Sequence, residues 1–148
     1  MTAAEPILNV ALIVPRTEAE GPGMRFAFWV QGCPLRCPGC CNPEMLPAKP
    51  ATSLRASALV ERFAAVKDDV EGVSFLGGEP TEQAEGLGVV ARSVRAHGKS
   101  VMVFSGYTLD ELRAQRSAHV DALLAHTDLL VDGRYVQEQR TTSRRYIG

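Results

Sequence analysis

Four short apolar runs, Phe26 to Val30, Val73 to Leu76, Val101 to Phe104 and Leu129 to Val131, each end in a turn that contains glycine. The turns are Gln31-Gly32-Cys33, Gly77-Gly78-Glu79-Pro80, Ser105-Gly106-Tyr107 and Asp132-Gly133. Apolar runs this short, bounded by turn residues, predict buried strands. Asn9 to Val14 reads as a fifth. Between the runs, apolar residues recur at helical spacing: Leu59, Phe63 and Val66 share one face, and Leu87, Val90 and Val94 another. Thr81 and Gly98 are expected to cap the second of these helices, and Thr108 with Glu111 makes the capping-box pattern that opens a third. The Pro/Ala-rich stretch from Pro43 to Thr52 reads as a connection. Strand and helix alternate, which predicts an α/β fold of parallel strands with helical crossovers, an open sheet or a partial barrel. A chain of 148 residues is too short for a closed eight-stranded barrel, which needs about 200 residues or more, and is expected to form a single domain over 1–148.

In parallel α/β folds the carboxyl ends of the strands lie along one edge, where ligands bind and where glycine lets backbone N–H groups come close to them. The four glycine turns are therefore expected to face one site. Any one of them is also explained as a simple strand terminator.

The first turn runs into WVQGCPLRCPGCCNPE, Trp29 to Glu44, which holds all four cysteines of the chain. A formal net charge of −1 and 22% charged residues leave no electrostatic footprint for nucleic acid or an anionic membrane. The N-terminal apolar run is short and lacks a preceding positive segment, so it reads as neither signal peptide nor membrane span. A cytoplasmic location is expected, and there thiols stay reduced, so metal binding is favoured over disulfides. Zinc sites pair two short Cys/His clusters, whereas His97, His119 and His126 are scattered and offer no second cluster. The spacing Cys33-x3-Cys37-x2-Cys40, tightened by Pro34, Pro38 and Gly39, instead suits three thiolates on one iron–sulfur cube. Three ligands on four irons leave one iron open to a substrate. Cys41 leaves the backbone beside Cys40 and is badly aimed for the opposite corner.

This spacing resembles the signature of the radical S-adenosylmethionine (SAM) superfamily. The chain is most similar to the short activating proteins of anaerobic ribonucleoside-triphosphate reductase, a branch of the glycyl-radical enzyme activating family. The resemblance runs through Gly21-Pro22-Gly23-Met24-Arg25, Gly32-Cys33, Cys37-Pro38-Gly39-Cys40, Gly77-Gly78-Glu79-Pro80, Ser105 through Leu112, and Leu130-Val131-Asp132-Gly133. It implies a shortened, open (β/α) partial barrel with a [4Fe-4S] cluster on Cys33, Cys37 and Cys40 and SAM at the strand carboxyl ends. One-electron reduction through the cluster would cleave SAM to a 5′-deoxyadenosyl radical that abstracts hydrogen from a glycine of a partner such as anaerobic ribonucleotide reductase. The electron would come from a donor of flavodoxin or ferredoxin type. Cys41 stands where these activators commonly carry Tyr, and they continue past the equivalent of Ile147-Gly148, so the chain is expected to be shortened at its C-terminus.

The same resemblance assigns roles along the edge. Gly77, Gly78, Glu79 and Pro80 would meet the methionine amino group, with backbone carbonyls and the Glu79 carboxylate balancing its charge. A side chain at Gly78 would then obstruct SAM while leaving the cluster intact. Ser105, Gly106 and Tyr107 would border the ribose or adenine, and Asp132 the SAM carboxylate. Arg25, Arg140, Arg144 and Arg145 read as solvated or partner-facing charges, and Phe26, Phe28 and Trp29 as core. Two other readings stay open: a radical SAM enzyme that modifies another peptide or a small molecule, and a non-catalytic iron–sulfur, zinc or electron-transfer module.

Overall fold

The computed structural model describes residues 5–35 and 43–134. Cys37, Cys40, Cys41 and the three arginines Arg140, Arg144 and Arg145 lie outside the described residues. Six strands, β1 (Ile7–Thr17), β2 (Arg25–Val30), β3 (Thr52–Arg55), β4 (Gly72–Gly77), β5 (Ser100–Phe104) and β6 (Leu129–Val131), form one sheet in the order β3-β1-β2-β4-β5-β6. Helices α1 (Ala56–Val66), α2 (Ala84–Ala96), α3 (Leu109–Ala114) and α4 (Ala118–Ala125) fill the connections.

The four runs identified as strands from the sequence are β2, β4, β5 and β6, and they pair in parallel as neighbours. The remainder of the sheet departs from the all-parallel expectation. Strand β1 is longer than Asn9 to Val14 and runs antiparallel to both β2 and β3. The reason is length: residues 18–24 between β1 and β2 are too few for a helical crossover, so the chain reverses. Strand β3 follows directly on the Pro/Ala-rich connection and was not visible as an apolar run, because its burial pattern is almost wholly exposed.

Period-two alternation sends Phe26, Phe28 and Val30, with Val73, Phe75, Val101 and Val103, to the helix-covered face. There they meet Leu59 and Phe63 of α1, Leu87, Val90 and Val94 of α2, Leu112 of α3 and Val120 and Leu123 of α4. Ala27, Trp29 and Leu76 point to the other face, where Met45, just after the cysteine segment, packs on them. Every described strand residue of β2 is buried, Arg25 included, at 1% exposure. The expectation of a solvated Arg25 is thus corrected: its guanidinium donates to Ser74 Oγ (2.9 Å), Val73 O (2.8 Å), Ser100 O (3.2 Å) and Pro22 O (3.2 Å). It ties β2, β4 and β5 together at their amino ends, the edge where barrel-type folds keep stability rather than chemistry.

The third helix opens as predicted, with Thr108 Oγ1 accepting from Glu111 N at 3.1 Å and the Glu111 carboxylate accepting from Thr108 N at 3.0 Å. Thr81 does not cap α2. It lies inside a single 3-10 turn, Pro80–Gln83, whose N-cap is Glu79.

Candidate active site

Register brings the four strand exits together. Val30 pairs with Gly77, Phe75 with Val103, and Phe104 with Val131, so the turns after β2, β4, β5 and β6 share one edge of the sheet. Glu79 joins three of them. Its backbone N–H donates to Gly32 O at 2.9 Å, beside Cys33. Its carboxylate, 1% exposed, accepts from Thr81 N (3.2 Å), Thr81 Oγ1 (2.6 Å), Ser105 Oγ (2.8 Å) and Gly106 N (2.7 Å). A buried carboxylate is tolerated when its lone pairs are filled in this way. The charge expected to face a ligand amino group is therefore committed to internal donors.

Close approach explains two of the glycines. A Cβ on Gly78 would lie 2.6 Å from both Gly32 O and Val30 O, contacts with backbone that cannot swing aside. The space that Gly78 keeps clear is thus filled by the root of the cysteine segment, and a substituent there acts on that root first. A Cβ on Gly106 would lie 2.4 Å from Leu35 Cδ1 and 3.5 Å from Glu79 Oε1. Leu35 is the second residue after Cys33, so the β5 exit and the cysteine segment touch through a glycine that offers no side chain.

Cys33 is half-buried at the start of that segment. Its backbone N–H donates to Leu46 O at 3.0 Å and that of Gly32 to Met45 O at 2.7 Å, which brings the two described ends of the segment side by side. A short loop closed at its base, carrying three thiols spaced for one cube, has the donor chemistry an iron–sulfur cluster needs.

Ser105 Oγ also accepts from Tyr107 N at 3.1 Å, and Ser105 N donates to Val131 O at 2.8 Å. The Tyr107 hydroxyl donates to Glu82 Oε1 at 3.0 Å, and burial, with the neighbouring Glu82 acceptor and charge, pushes its pKa up to about 12. Asp132 is exposed and its Oδ2 accepts from Leu109 N at 2.8 Å, at the opening turn of α3. Arg134 was not singled out by sequence: it stacks over the Tyr107 ring at 5.4 Å, donates to Gly106 O and holds Glu111 through both carboxylate oxygens at 2.8 and 2.9 Å. That guanidinium, with the Thr108 N–H, holds the Glu111 carboxyl down at about 2. Gly77, Gly78, Gly106 and Tyr107 are half-exposed and present backbone and ring at the edge, whereas Glu79, Pro80 and Ser105 are buried behind them.

Residues 19–148 match the family described as a 4Fe-4S single cluster domain. The chain belongs to that family. An anaerobic ribonucleoside-triphosphate reductase-activating protein of Salmonella typhimurium is 32% identical, covering 80% of this chain and 79% of that one. The protein of the same name from Escherichia coli is 29% identical over 92% of this chain and 90% of that one. The family is thus shown at the level of the reductase-activating proteins and, through the domain description, of a four-iron cluster. Among solved structures, QueE from Escherichia coli superposes with a TM-score of 0.54 at 18% identity, covering 69% of this chain and 53% of that chain, a likeness of fold. The strand-exit edge described above carries Cys33, the first cysteine of the segment, at the end of the β2 exit. No helix among the described residues is long and apolar enough to cross a membrane.

Proposed function

We propose that this chain is a cytoplasmic radical SAM activase that installs a glycyl radical on an anaerobic ribonucleoside-triphosphate reductase. Cys33, Cys37 and Cys40 hold the [4Fe-4S] cluster, and SAM lies along the exits formed by Gly77 to Pro80, Ser105 to Tyr107 and Asp132. When bound, cluster and SAM together supply one-electron reductive cleavage of a carbon–sulfur bond. The protein's own part is to hold these groups at one edge and to admit a glycine of the partner there. The observation that carries the reading is the joining of the β4 and β5 exits to the base of the cysteine segment through Glu79, in a chain that spans most of its reductase-activating relatives.

The geometry divides the labour. With its carboxylate engaged by four donors, Glu79 sets the turn, and the half-exposed backbone of Gly77 and Gly78 is left to meet the methionine amino group. Tyr107 stays protonated at neutral pH and offers a ring face backed by Arg134 to the nucleoside end. A domain this small has little structure left over for a deep substrate pocket, which favours a protein partner that closes the open edge.

The test is electron paramagnetic resonance on reconstituted chain mixed anaerobically with SAM, reduced flavodoxin or ferredoxin, and the co-encoded reductase. A glycyl doublet on the reductase is expected. SAM cleavage without that doublet would return the chain to the class acting on another peptide or a small molecule, and absence of cleavage would leave a cluster-binding module.

A further inference from the structure

Among the described residues Gln31 is one of six buried polar or charged side chains, 7% exposed, and it lies just before the cysteine segment. Its Nε2 donates both hydrogens to backbone carbonyls on the far side of the cysteine segment, Glu44 O at 3.0 Å and Pro47 O at 2.8 Å. Its own backbone is fixed in turn: its N–H donates to Asn9 O at 3.0 Å, and its carbonyl accepts from Gln83 Nε2 at 3.2 Å. Gln83 also clasps Asn9, accepting from its N–H at 2.7 Å and donating to its carbonyl at 3.1 Å. The Asn9 side chain continues the chain of contacts to Lys49 O (2.9 Å) and Ala51 N (2.7 Å). Three carboxamides thus lash β1, the β2 exit and the turn after β4 to the backbone that follows the cysteine segment.

We infer that Gln31 is a positioning residue for the cluster: its carboxamide holds the two described ends of the cysteine segment together and so limits the positions open to the thiols that the segment carries. This rests on the cluster being carried by that segment. Chemistry selects the residue, because only an amide presents two hydrogens from one nitrogen at this length, and a carboxylate would set negative charge against two carbonyl oxygens. Without it, the base keeps the backbone bonds of Gly32 and Cys33 but loses the two that reach Glu44 O and Pro47 O, and the ends regain part of the freedom that closure removes. Groups that orient metal ligands without touching the metal typically change metal affinity by about 10- to 100-fold when removed.

The experiment compares wild type, Gln31→Met, Gln31→Glu and Arg25→Met after anaerobic reconstitution. It follows release of iron to a chelator, the resonance spectrum of the reduced cluster and the unfolding midpoint. Gln31→Met is expected to release iron about ten-fold faster than wild type, and Gln31→Glu faster still. Arg25→Met, at the opposite edge of the sheet, is expected to lose fold stability and yet release iron at the wild-type rate below its midpoint. Wild-type release from Gln31→Met would overturn the inference, as would equal acceleration in Arg25→Met, which would make general stability the cause. If Gln31→Met does not fold, Gln83→Met, which removes the clasp on the Gln31 carbonyl, is read in its place, with the same direction expected and a wild-type rate again overturning the inference. A wild-type chain that takes up no iron would overturn the cluster assignment itself and this inference with it.

Discussion

The Glu79 carboxylate accepts the Gly106 backbone N–H at 2.7 Å, a contact that joins the turn after β4 to the turn after β5 across 27 residues of sequence. Together with the Ser105 hydroxyl on the other carboxylate oxygen, it makes the spacing of the two exits a property of one side chain. Glu79→Ala leaves buried donors on Thr81, Ser105 and Gly106 without their acceptor, a loss of about 2–4 kcal/mol. Glu79→Gln retains one acceptor oxygen but turns an NH2 toward donors, and about 1–3 kcal/mol is expected. Denaturant unfolding of the anaerobic protein checks both, and a Glu79→Ala variant as stable as wild type would remove Glu79 from its place at the centre of the edge.

Gly78 is expected to be less tolerant than a ligand-facing glycine. Its missing Cβ would lie 2.6 Å from Gly32 O and Val30 O, so even Gly78→Ala pushes the β2 exit and the root of the cysteine segment. Cluster content and SAM binding should fall together. Iron and sulfide analysis with equilibrium SAM binding measures both, and intact cluster with weakened SAM would restore the expectation drawn from sequence.

Gly106 presents the milder case. The nearest atom to an added Cβ is Leu35 Cδ1, the end of a flexible side chain, so Gly106→Ala is expected to cost on the order of 1 kcal/mol and to keep the cluster. Gly106→Val cannot be accommodated by that movement alone and should lower the iron bound per chain.

How much of this was legible in the sequence follows the range of the interactions. The four parallel strands were legible because each reads as an apolar run, β2, β4 and β5 being buried on both faces and β6 partly covered at the edge; β3, with its exposed TSLR, carries no such mark. The capping box at Thr108 and Glu111 was legible because both partners lie within four residues. Gln31, Gln83 and Asn9 were not, since their bonds span from 13 to 74 residues and any one of them alone looks like an ordinary polar residue. Arg25 was misjudged for the same reason: the carbonyls that receive its guanidinium come from β4 and β5, and burial of an arginine depends on acceptors the local sequence does not show.

Arg25→Met should therefore behave as a core substitution. It removes the hydrogen bonds to Ser74 Oγ and to the carbonyls of Pro22, Val73 and Ser100, and about 2–4 kcal/mol of stability is expected to be lost with little change in cluster content. Thermal or urea unfolding against iron content per folded chain separates the two effects.

The Tyr107 phenol is held protonated by burial and by the Glu82 acceptor, with a pKa of about 12 against an ordinary 10. An acid whose pKa is raised by folding adds stability that is complete below the unfolded value and is lost as pH rises through the folded one, here from about 10 to 12. The difference in phenolate absorbance between wild type and Tyr107→Phe should titrate near 12, and a midpoint near 10 would mean that the Glu82 contact is not held in solution.

Cys33, Cys37 and Cys40 are the proposed ligands of one cluster, so the most direct measurement is iron and sulfide content, with the resonance spectrum of the reduced protein, in the four single serine variants. Cys33→Ser, Cys37→Ser and Cys40→Ser are expected to lose the four-iron cluster, and Cys41→Ser to retain it with an unchanged spectrum. Loss of the cluster in Cys41→Ser, with retention in Cys37→Ser, would contradict the assignment.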